Sequence, residues 1–359
     1  MKAKIIGSGM CLPPFLVSNE TIGNFFPQPP TQSWTPKWVE ERLGIKTRVN
    51  TFDFNLGVMR SGYYDGDNAF TAATNAIKDA GLEPKDIDRV LYATSTPEYL
   101  IPDPACMVHM RLGLRSDVPA VGATSVGCGG FVYIMDIADS EIRSGKYKKI
   151  LLIGSVSVGP YLQAVNDIED PKEREEQLLK NIVNAYIFGE GAAALVMEAC
   201  DESDDLGPGI THTYMGAEGH SNPVIFEAGG SRNPATYQTV KKGLHRFNMS
   251  LGLVKLKGPE IFMRVVSEII KKSGIKLDEI DHFIVHQVNY NLLKAISESL
   301  GIPFNKVEVH VDRYGNLDTA TLGVAYHELK CSGRLKAGER VLFAAIGAGW
   351  QYGAIIMRV

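Results

Sequence analysis

Three residues of types that do covalent and carbonyl chemistry stand out in the chain: Cys128, His286 and Asn316. Cys128 lies in ATSVGCGGFVYIMDIADSEIRSG, where a strand-like run ends at Gly127 and Phe131, Ile134, Met135, Ile137, Ala138 and Ile142 recur at helical spacing. A cysteine at a strand-to-helix turn meets backbone N–H groups and the positive end of a helix dipole, which favour its thiolate. Glycines on both sides let a carbonyl group approach. The same pattern also fits a small buried residue at a tight turn. His286 closes the apolar run 283–285 in FIVHQVNYNLLKAISESLG. A lone histidine at a strand end is more often structural than catalytic. Asn316, in VHVDRYGNLDTATLGVAYHELK, reads by itself as a turn residue capping the helix that follows from Thr319 to Lys330.

An internal duplication links the three. The stretch AFTAATNAIKDAGLEPKDIDRVLYATST (69–96) matches IFMRVVSEIIKKSGIKLDEIDHFIVHQVN (261–289), with Asp88 on Asp281, an offset of 193 residues. Each copy is an amphipathic helix, a glycine stop (Gly81, Gly274), a polar link and an apolar strand. Downstream, KKILLIGSVSVG (148–159) resembles ERVLFAAIGAGW (339–350), and GAAALVME (from Gly191) resembles GAIIMRV (from Gly353). Two α/β halves with one element order imply two similar sheets packed through helices. Runs such as ILLIG and VLFAAIG predict strands buried on both faces. The duplication makes the helix start at Asn316 the counterpart of the Cys128 turn, so two helix N-termini point at one centre. It also sets His286 at the C-terminal edge of a sheet, where α/β sites gather. Residues 1–200 and 201–359 are expected to form the halves. A charged helical insertion is expected near 161–180, opened by Asp170 and Pro171, and a loop-rich one near 201–256.

Composition narrows the function classes. With 45% hydrophobic and 22% charged residues over 359 positions, the chain has the make-up of a globular enzyme. A net charge of −4 argues against nucleic-acid binding. The longest apolar stretch, residues 341–349, is too short to span a bilayer, and no targeting signal is visible, so a cytoplasmic protein is expected. Five widely spaced cysteines without a C-x-x-C pair suit neither a disulfide framework nor a zinc site. IGAGWQYG (346–353) lacks the strand–GxGxxG–helix setting of a dinucleotide site; it reads as a turn presenting N–H groups to an oxyanion.

Taken in order, WVEERLGIKTR, ATSTPEYLIPDPAC, the Cys128 turn, FGEGAAALVM, HQVN, DRYGN and GAGWQYGAIIMRV resemble 3-oxoacyl-acyl-carrier-protein synthase III (ketoacyl synthase III) of the thiolase superfamily. The resemblance implies a thiolase fold, two pseudo-symmetric α/β halves in a five-layered αβαβα sandwich. It places the family's Cys–His–Asn set on Cys128, His286 and Asn316, and its oxyanion-hole amides on Cys128 and Ala348. Trp38 and Arg42 match the pair that lies against the coenzyme A nucleotide, and Asn289 the residue near the pantetheine arm. Ile101 matches the position that reaches across a homodimer into the partner's acyl pocket. The implied substrates are acyl-CoA and malonyl-type thioesters, carried on coenzyme A or acyl carrier protein, with neither metal nor redox cofactor.

The implied reaction is a decarboxylative Claisen condensation. Cys128 takes an acyl group, His286 and Asn316 hold the carbonyl oxygen of a malonyl-type or 3-oxoacyl thioester, and the enolate left by carbon dioxide attacks the acyl-cysteine. Acyl transfer to an oxygen or nitrogen acceptor, with His286 as base, is the alternative; a non-catalytic subunit of a heterodimer is another. The chain departs from the housekeeping pattern in several places. Gly127 stands for Ala and Gly129 for Ala or Ser, and LDT follows Asn316 where Thr-Ser-Ala is usual. The helix after HQVN carries Lys294 opposed by Glu298, so Lys255, Lys257 and Arg264 are the other source of charge for docking acyl carrier protein. These departures and the two insertions favour a specialised homologue.

Overall fold

The fold was analysed in a computed structural model that describes all residues except 28–32, 125, 201–206, 220–223, 227–228 and 245–246. Two sheets form its frame. The first contains β1 (Lys2–Cys11), β2 (Arg89–Thr94), β3 (Ala120–Thr124), β4 (Lys149–Val156) and β5 (Gly191–Cys200) in the order β1-β5-β4-β2-β3. The second contains β6 (Gly209–Ala217), β7 (His282–Val285), β8 (Arg340–Ile346) and β9 (Gln351–Arg358) in the order β6-β9-β8-β7. β2 runs parallel to β4 and β7 parallel to β8, while β5 and β9 return antiparallel beside them. The duplicated segments thus occupy equivalent places. A counterpart of β3 is reduced in the second sheet to an isolated parallel bridge between Phe283 and Val307.

The helices used below are, in chain order, α1 (Pro36–Leu43), α2 (Asp65–Asp79), α3 (Pro104–Leu112), α4 (Gly130–Arg143), α5 (Gly159–Asn166), α6 (Pro171–Ile187), α7 (Leu251–Ser273), α8 (Tyr290–Leu300) and α9 (Thr321–Cys331). Their layering follows from the two-residue side-chain period of each strand. Val90, Tyr92, Leu151, Ile153, Ala194 and Val196 pack with Ala72, Ala76 and Ile77 of α2 and Val108 of α3 on one outer face. Leu91, Ala93, Ile150, Leu152, Leu195 and Met197 face the other way and meet Phe131, Ile134 and Met135 of α4 with Leu322, Ala325 and Leu329 of α9. Val341, Phe343, Ile355 and Met357 of the second sheet close on that central layer from beyond. Leu342, Ala344, Ala354 and Ile356 turn outward onto Ile261, Val265, Val266 and Ile269 of α7. The stack is helix, sheet, helix, sheet, helix, the expected thiolase arrangement.

One local expectation changes and another holds. Residues 201–256 were expected to be loop-rich, yet they contain β6, which pairs with β9 as the counterpart of β1, and α7 starts at Leu251; part of that segment lies outside the described residues. β6 (GITHTYMGA) escapes a search for apolar runs because it is an edge strand with mostly half-exposed residues. The insertion near 161–180 is helical as expected. Asp170 accepts the Glu173 N–H at 2.8 Å and Pro171 takes the first position of α6.

Candidate active site

β3 ends at Thr124, and a single 3-10 turn (Gly127–Gly129) leads into α4. Gly127 has φ of 62°, a left-handed conformation that costs other residues about 1–2 kcal/mol. A Cβ there would also sit 2.8 Å from the Ala348 nitrogen. The reciprocal holds for Gly347, whose Cβ would lie 2.5 Å from the Gly129 nitrogen and 3.1 Å from that of Cys128. The Cys128 turn and the glycine-rich turn after β8 therefore touch backbone to backbone, bringing the amides of Cys128 and Ala348 to one place.

Cys128 stays partly exposed. Its thiol has the Asn316 amide and the Asp318 carboxyl as neighbours. The helix end does not leave it a ready thiolate, contrary to the sequence expectation: burial foremost, and then the Asp318 carboxylate, push the thiol well above its usual range. The Cys128 amide and Asn316 pull in the opposite direction without prevailing.

Asn316 is held by its backbone to the loop before β5, its N–H donating to Ile187 O at 2.8 Å and its carbonyl accepting from Gly189 N at 3.0 Å. Its Oδ1 accepts the Asp318 N–H at 2.9 Å. With Oδ1 engaged, the NH2 end of the amide is the one left for sulfur or substrate. Asp318 opens the 3-10 turn into α9 at φ of 45°, and Thr319 next to it ties that turn to Ser155 O at 2.6 Å. Burial raises the Asp318 carboxyl, with Cys128 and Ser95 opposing the rise. Its Oδ1 has no hydrogen-bond partner among the described residues.

His286 directly follows β7 and donates its backbone N–H to Ala344 O at 2.8 Å, so it shares a sheet edge with the turn that carries Ala348. Burial, and behind it the neighbouring His310, lower the imidazole to a pKa of about 3. It is neutral throughout the physiological range, and its Nδ1 has no partner among the described residues. His286, Asn289, Phe262, Leu292 and Ile346 line an apolar cavity of about 30 Å³. Asn289 is the N-cap of α8, its Oδ1 accepting Leu292 N at 2.9 Å. Gln287, between them, clamps the chain that leads toward Asn316. It donates to Glu308 O at 2.8 Å and accepts from His310 N and Val311 N at 2.9 and 3.0 Å.

The remaining expected residues lie farther out. Trp38 sits in α1 against Trp34, ring centroids 4.9 Å apart, and Arg42 is exposed in the last turn of that helix. α1 is tied to α8 by Asn291 Nδ2 donating to Glu41 O at 2.9 Å. Ile101 is 88% exposed and lines neither the His286 cavity nor the one beside Asp318. A second small cavity, also about 30 Å³, lies beside Asp318 and is walled by Ser95, Val156, Val158, Leu162, Asn184 and Phe188 among others. Its polar amides are occupied: Asn181 donates to Gln177 O at 2.8 Å and Asn184 to Asn181 Oδ1 at 3.3 Å.

Comparison with known proteins decides the lineage. The family models of 3-oxoacyl-[acyl-carrier-protein (ACP)] synthase III and of its C-terminal part match residues 124–219 and 270–359. The β-ketoacyl-[acyl-carrier-protein] synthase III of Aquifex aeolicus is 31% identical over 365 residues, covering all of both proteins, and that of Syntrophomonas wolfei 30% over 359 residues, covering all of this chain and 98% of that protein. The chain belongs to the 3-oxoacyl-acyl-carrier-protein synthase III family. The crystal structure of the Aquifex aeolicus synthase III superposes with a TM-score of 0.79 at 29% identity, over 99% of this chain and 100% of that one. OleA from Xanthomonas campestris shares the fold, with a TM-score of 0.81 at 20% identity over 100% of this chain and 98% of that one.

Asp318 stands at the centre of the site, and sequence reasoning noted it only within the LDT that follows Asn316 and did not count it among the reacting groups. An Asp two residues after Asn316 reads as a helix cap; only the convergence of the α4 and α9 ends brings it to the sulfur. Gln287 of the HQVN motif was likewise unassigned, and its three hydrogen bonds account for it.

Proposed function

We propose that this synthase III homologue loads an acyl group on Cys128 and condenses it, with loss of carbon dioxide, with a malonyl-type thioester. One observation carries the reading. The Cys128 turn packs on the turn that follows Asn316, whose amide neighbours the thiol and whose oxygen is already taken by the Asp318 N–H. Asn316 therefore offers a donor beside the nucleophile, where the enolate oxygen develops when carbon dioxide leaves. Neutral His286 supplies a second donor, and a group whose pKa is about 3 is a poor base, which disfavours acyl transfer to an alcohol or amine. The backbone amides of Cys128 and Ala348 stabilise the oxyanion of each tetrahedral intermediate.

The cavity at Asp318 is taken as the acyl pocket and the one at His286 as the pantetheine arm's end, with Asn289 in its wall and Trp38 and Arg42 flanking the approach along α1. A space of about 30 Å³ accommodates roughly two water-sized groups, which favours a short acyl chain. The halves are drawn as residues 1–200 and 201–359. A homodimer is supported by β3, an unpaired sheet edge with Val121 exposed, next to exposed Met110 and to Tyr99, Leu100 and Ile101. Acyl carrier protein, named in the relatives' activity, would meet Lys255 on α7; Arg264 there is already paired with Glu218. All five cysteines are free, two of them exposed, which suits the reducing cytoplasm.

The test has two parts. Incubation with a panel of acyl-CoAs should give an acyl adduct by intact mass that is absent in Cys128→Ala. The acylated enzyme should then release labelled carbon dioxide from a malonyl thioester. An adduct without carbon dioxide release would favour simple acyl transfer; no adduct with any acyl-CoA would sink both.

A further inference from the structure

We propose that Asp318 is a catalytic base: it takes the proton of the Cys128 thiol as the acyl group is loaded and hands it to the departing thiolate. This rests on the condensing-enzyme reading and adds to it a fourth reacting group. The geometric case begins with placement: the 3-10 turn of Asp318 packs directly on that of Cys128, a Cβ on Gly130 coming 3.2 Å from Thr319 Cγ2, which sets the Asp318 carboxyl beside the thiol. Asp318 is held there. Its backbone is at φ of 45°, its N–H is bonded to Asn316 Oδ1, and Thr319 after it is bonded to Ser155 O. One carboxylate oxygen is buried without a partner, a costly arrangement for a group that serves only as a helix cap.

The elimination of other bases supports the assignment. His286 is lowered to about 3 and His310 to about 4, both chiefly by burial, so neither accepts a thiol proton readily. The other titratable groups near the Asp318 turn are Tyr161 across the cavity, Glu190 beyond Gly189 and Asp65, whose carboxylate is taken up by Tyr92, Thr94, Thr96 and Ser155. None of these groups is cationic at neutral pH. Burial and the facing carboxylate disfavour a preformed thiolate at Cys128, so the proton must leave as the sulfur attacks. In that step the S–H bond breaks, the sulfur–carbon bond to the acyl group forms, and Asp318 becomes a carboxylic acid. Collapse of the tetrahedral adduct breaks the old carbon–sulfur bond. The proton passes to the leaving coenzyme A sulfur and Asp318 is again a carboxylate. The N-termini of α4 and α9 both favour the one negative charge shared by this pair.

The experiment compares wild type with Asp318→Asn, chosen because Asn tolerates a positive φ. Acyl loading from a short acyl-CoA is followed by rapid-quench intact mass from pH 6 to 9, and Cys128 alkylation by iodoacetamide over the same range. Wild type should load at a rate that is nearly flat above neutrality. Asp318→Asn should load about 100-fold more slowly at pH 7, and its rate should climb about tenfold per pH unit because only the thiolate then reacts. Its alkylation midpoint should move to lower pH, since the facing charge is gone; this also shows that the variant is folded with an accessible thiol. Loading by Asp318→Asn within threefold of wild type, with the same flat profile, would overturn the proposal and leave the condensation reading standing. Failure of wild type to load any acyl-CoA would instead remove the reading on which it rests.

Discussion

Gly347→Ala isolates the contact between the two turns that present the oxyanion amides. Gly347 has φ of −138° and ψ of −173°, extended backbone that alanine adopts freely, and its N–H bond to Gln351 O at 2.8 Å survives the change. The perturbation is therefore steric alone. The new methyl would stand 2.5 Å from the Gly129 nitrogen, 2.7 Å from Val126 O and 3.1 Å from the Cys128 nitrogen. All three are backbone atoms of the nucleophile turn. Ordinary contact requires the turns to part by about 1 Å. That separation is enough to lose a donor whose working distance is about 2.7–3.1 Å, and such a loss costs about 100- to 1000-fold in turnover, some 3–4 kcal/mol. Overpacking should remove about 1–3 kcal/mol of folding stability. Two rates on the same protein separate chemistry from folding. Acyl loading passes through a tetrahedral oxyanion and should fall at least about 100-fold. Alkylation of Cys128 by iodoacetamide forms no oxyanion and should change by no more than about threefold. Near-normal loading in a folded variant would refute the claim that these two amides act together; parallel loss of both rates would show a collapsed turn instead.

Other outcomes follow from the same geometry. Asn316→Ala should retain acyl loading within about tenfold and lose carbon dioxide release about 100-fold or more, checked on the acylated enzyme; equal loss of both steps would contradict the assigned role. His286 has a folded pKa near 3, below the ordinary 6.5, so the unfolded chain binds its proton first, and stability should fall as pH drops below 6.5, by at most about 5 kcal/mol at pH 3. Urea unfolding of His286→Gln should show a shallower acid limb than wild type, and an identical limb would refute this. Glu190 is raised by burial to about 7, so the folded state keeps a proton that the unfolded chain has released, and stability should decline as pH rises from about 4.5 to 7. Glu190→Gln should lack that decline and, at pH 8, equal or exceed wild type by up to about 3 kcal/mol. Ile101→Asp should weaken the proposed dimer at least tenfold by sedimentation; an unchanged dimer would place the interface elsewhere.

The layering was legible because strand periodicity is local. A run such as ILLIG reads as buried on both faces, and Ile150, Leu152 and Leu151, Ile153 do divide between the central and outer helices. The 193-residue repeat gave the equivalence of the two sheets, since each copy must bury the same surfaces. β6 was missed because an edge strand needs no apolar run. At the site, motif and repeat pointed to Cys128, His286, Asn316 and Ala348, and the turns of Cys128, Asn316 and Ala348 meet in the structure. What the chain order could not convey is charge across space. Asp318 lies 190 positions from Cys128 in the sequence and beside it in the fold, where it adds to the burial that pushes the thiol up.

The helix α6 supplies Asn181 and Asn184 to the wall of the small cavity near Asp318, yet it belongs to neither sheet. Its other side is built into the frame: Leu178, Ile182, Ala185 and Tyr186 join the buried core, Tyr186 O accepts from Arg48, and Ile187 O accepts the Asn316 N–H. Substitutions at Asn181 and Asn184 alone would reshape the chamber while the strands, the paired helix starts and the glycine turns keep their places. The shape of this chamber is thus tunable from a few positions on one helix whose remaining side chains are committed to holding the machine together.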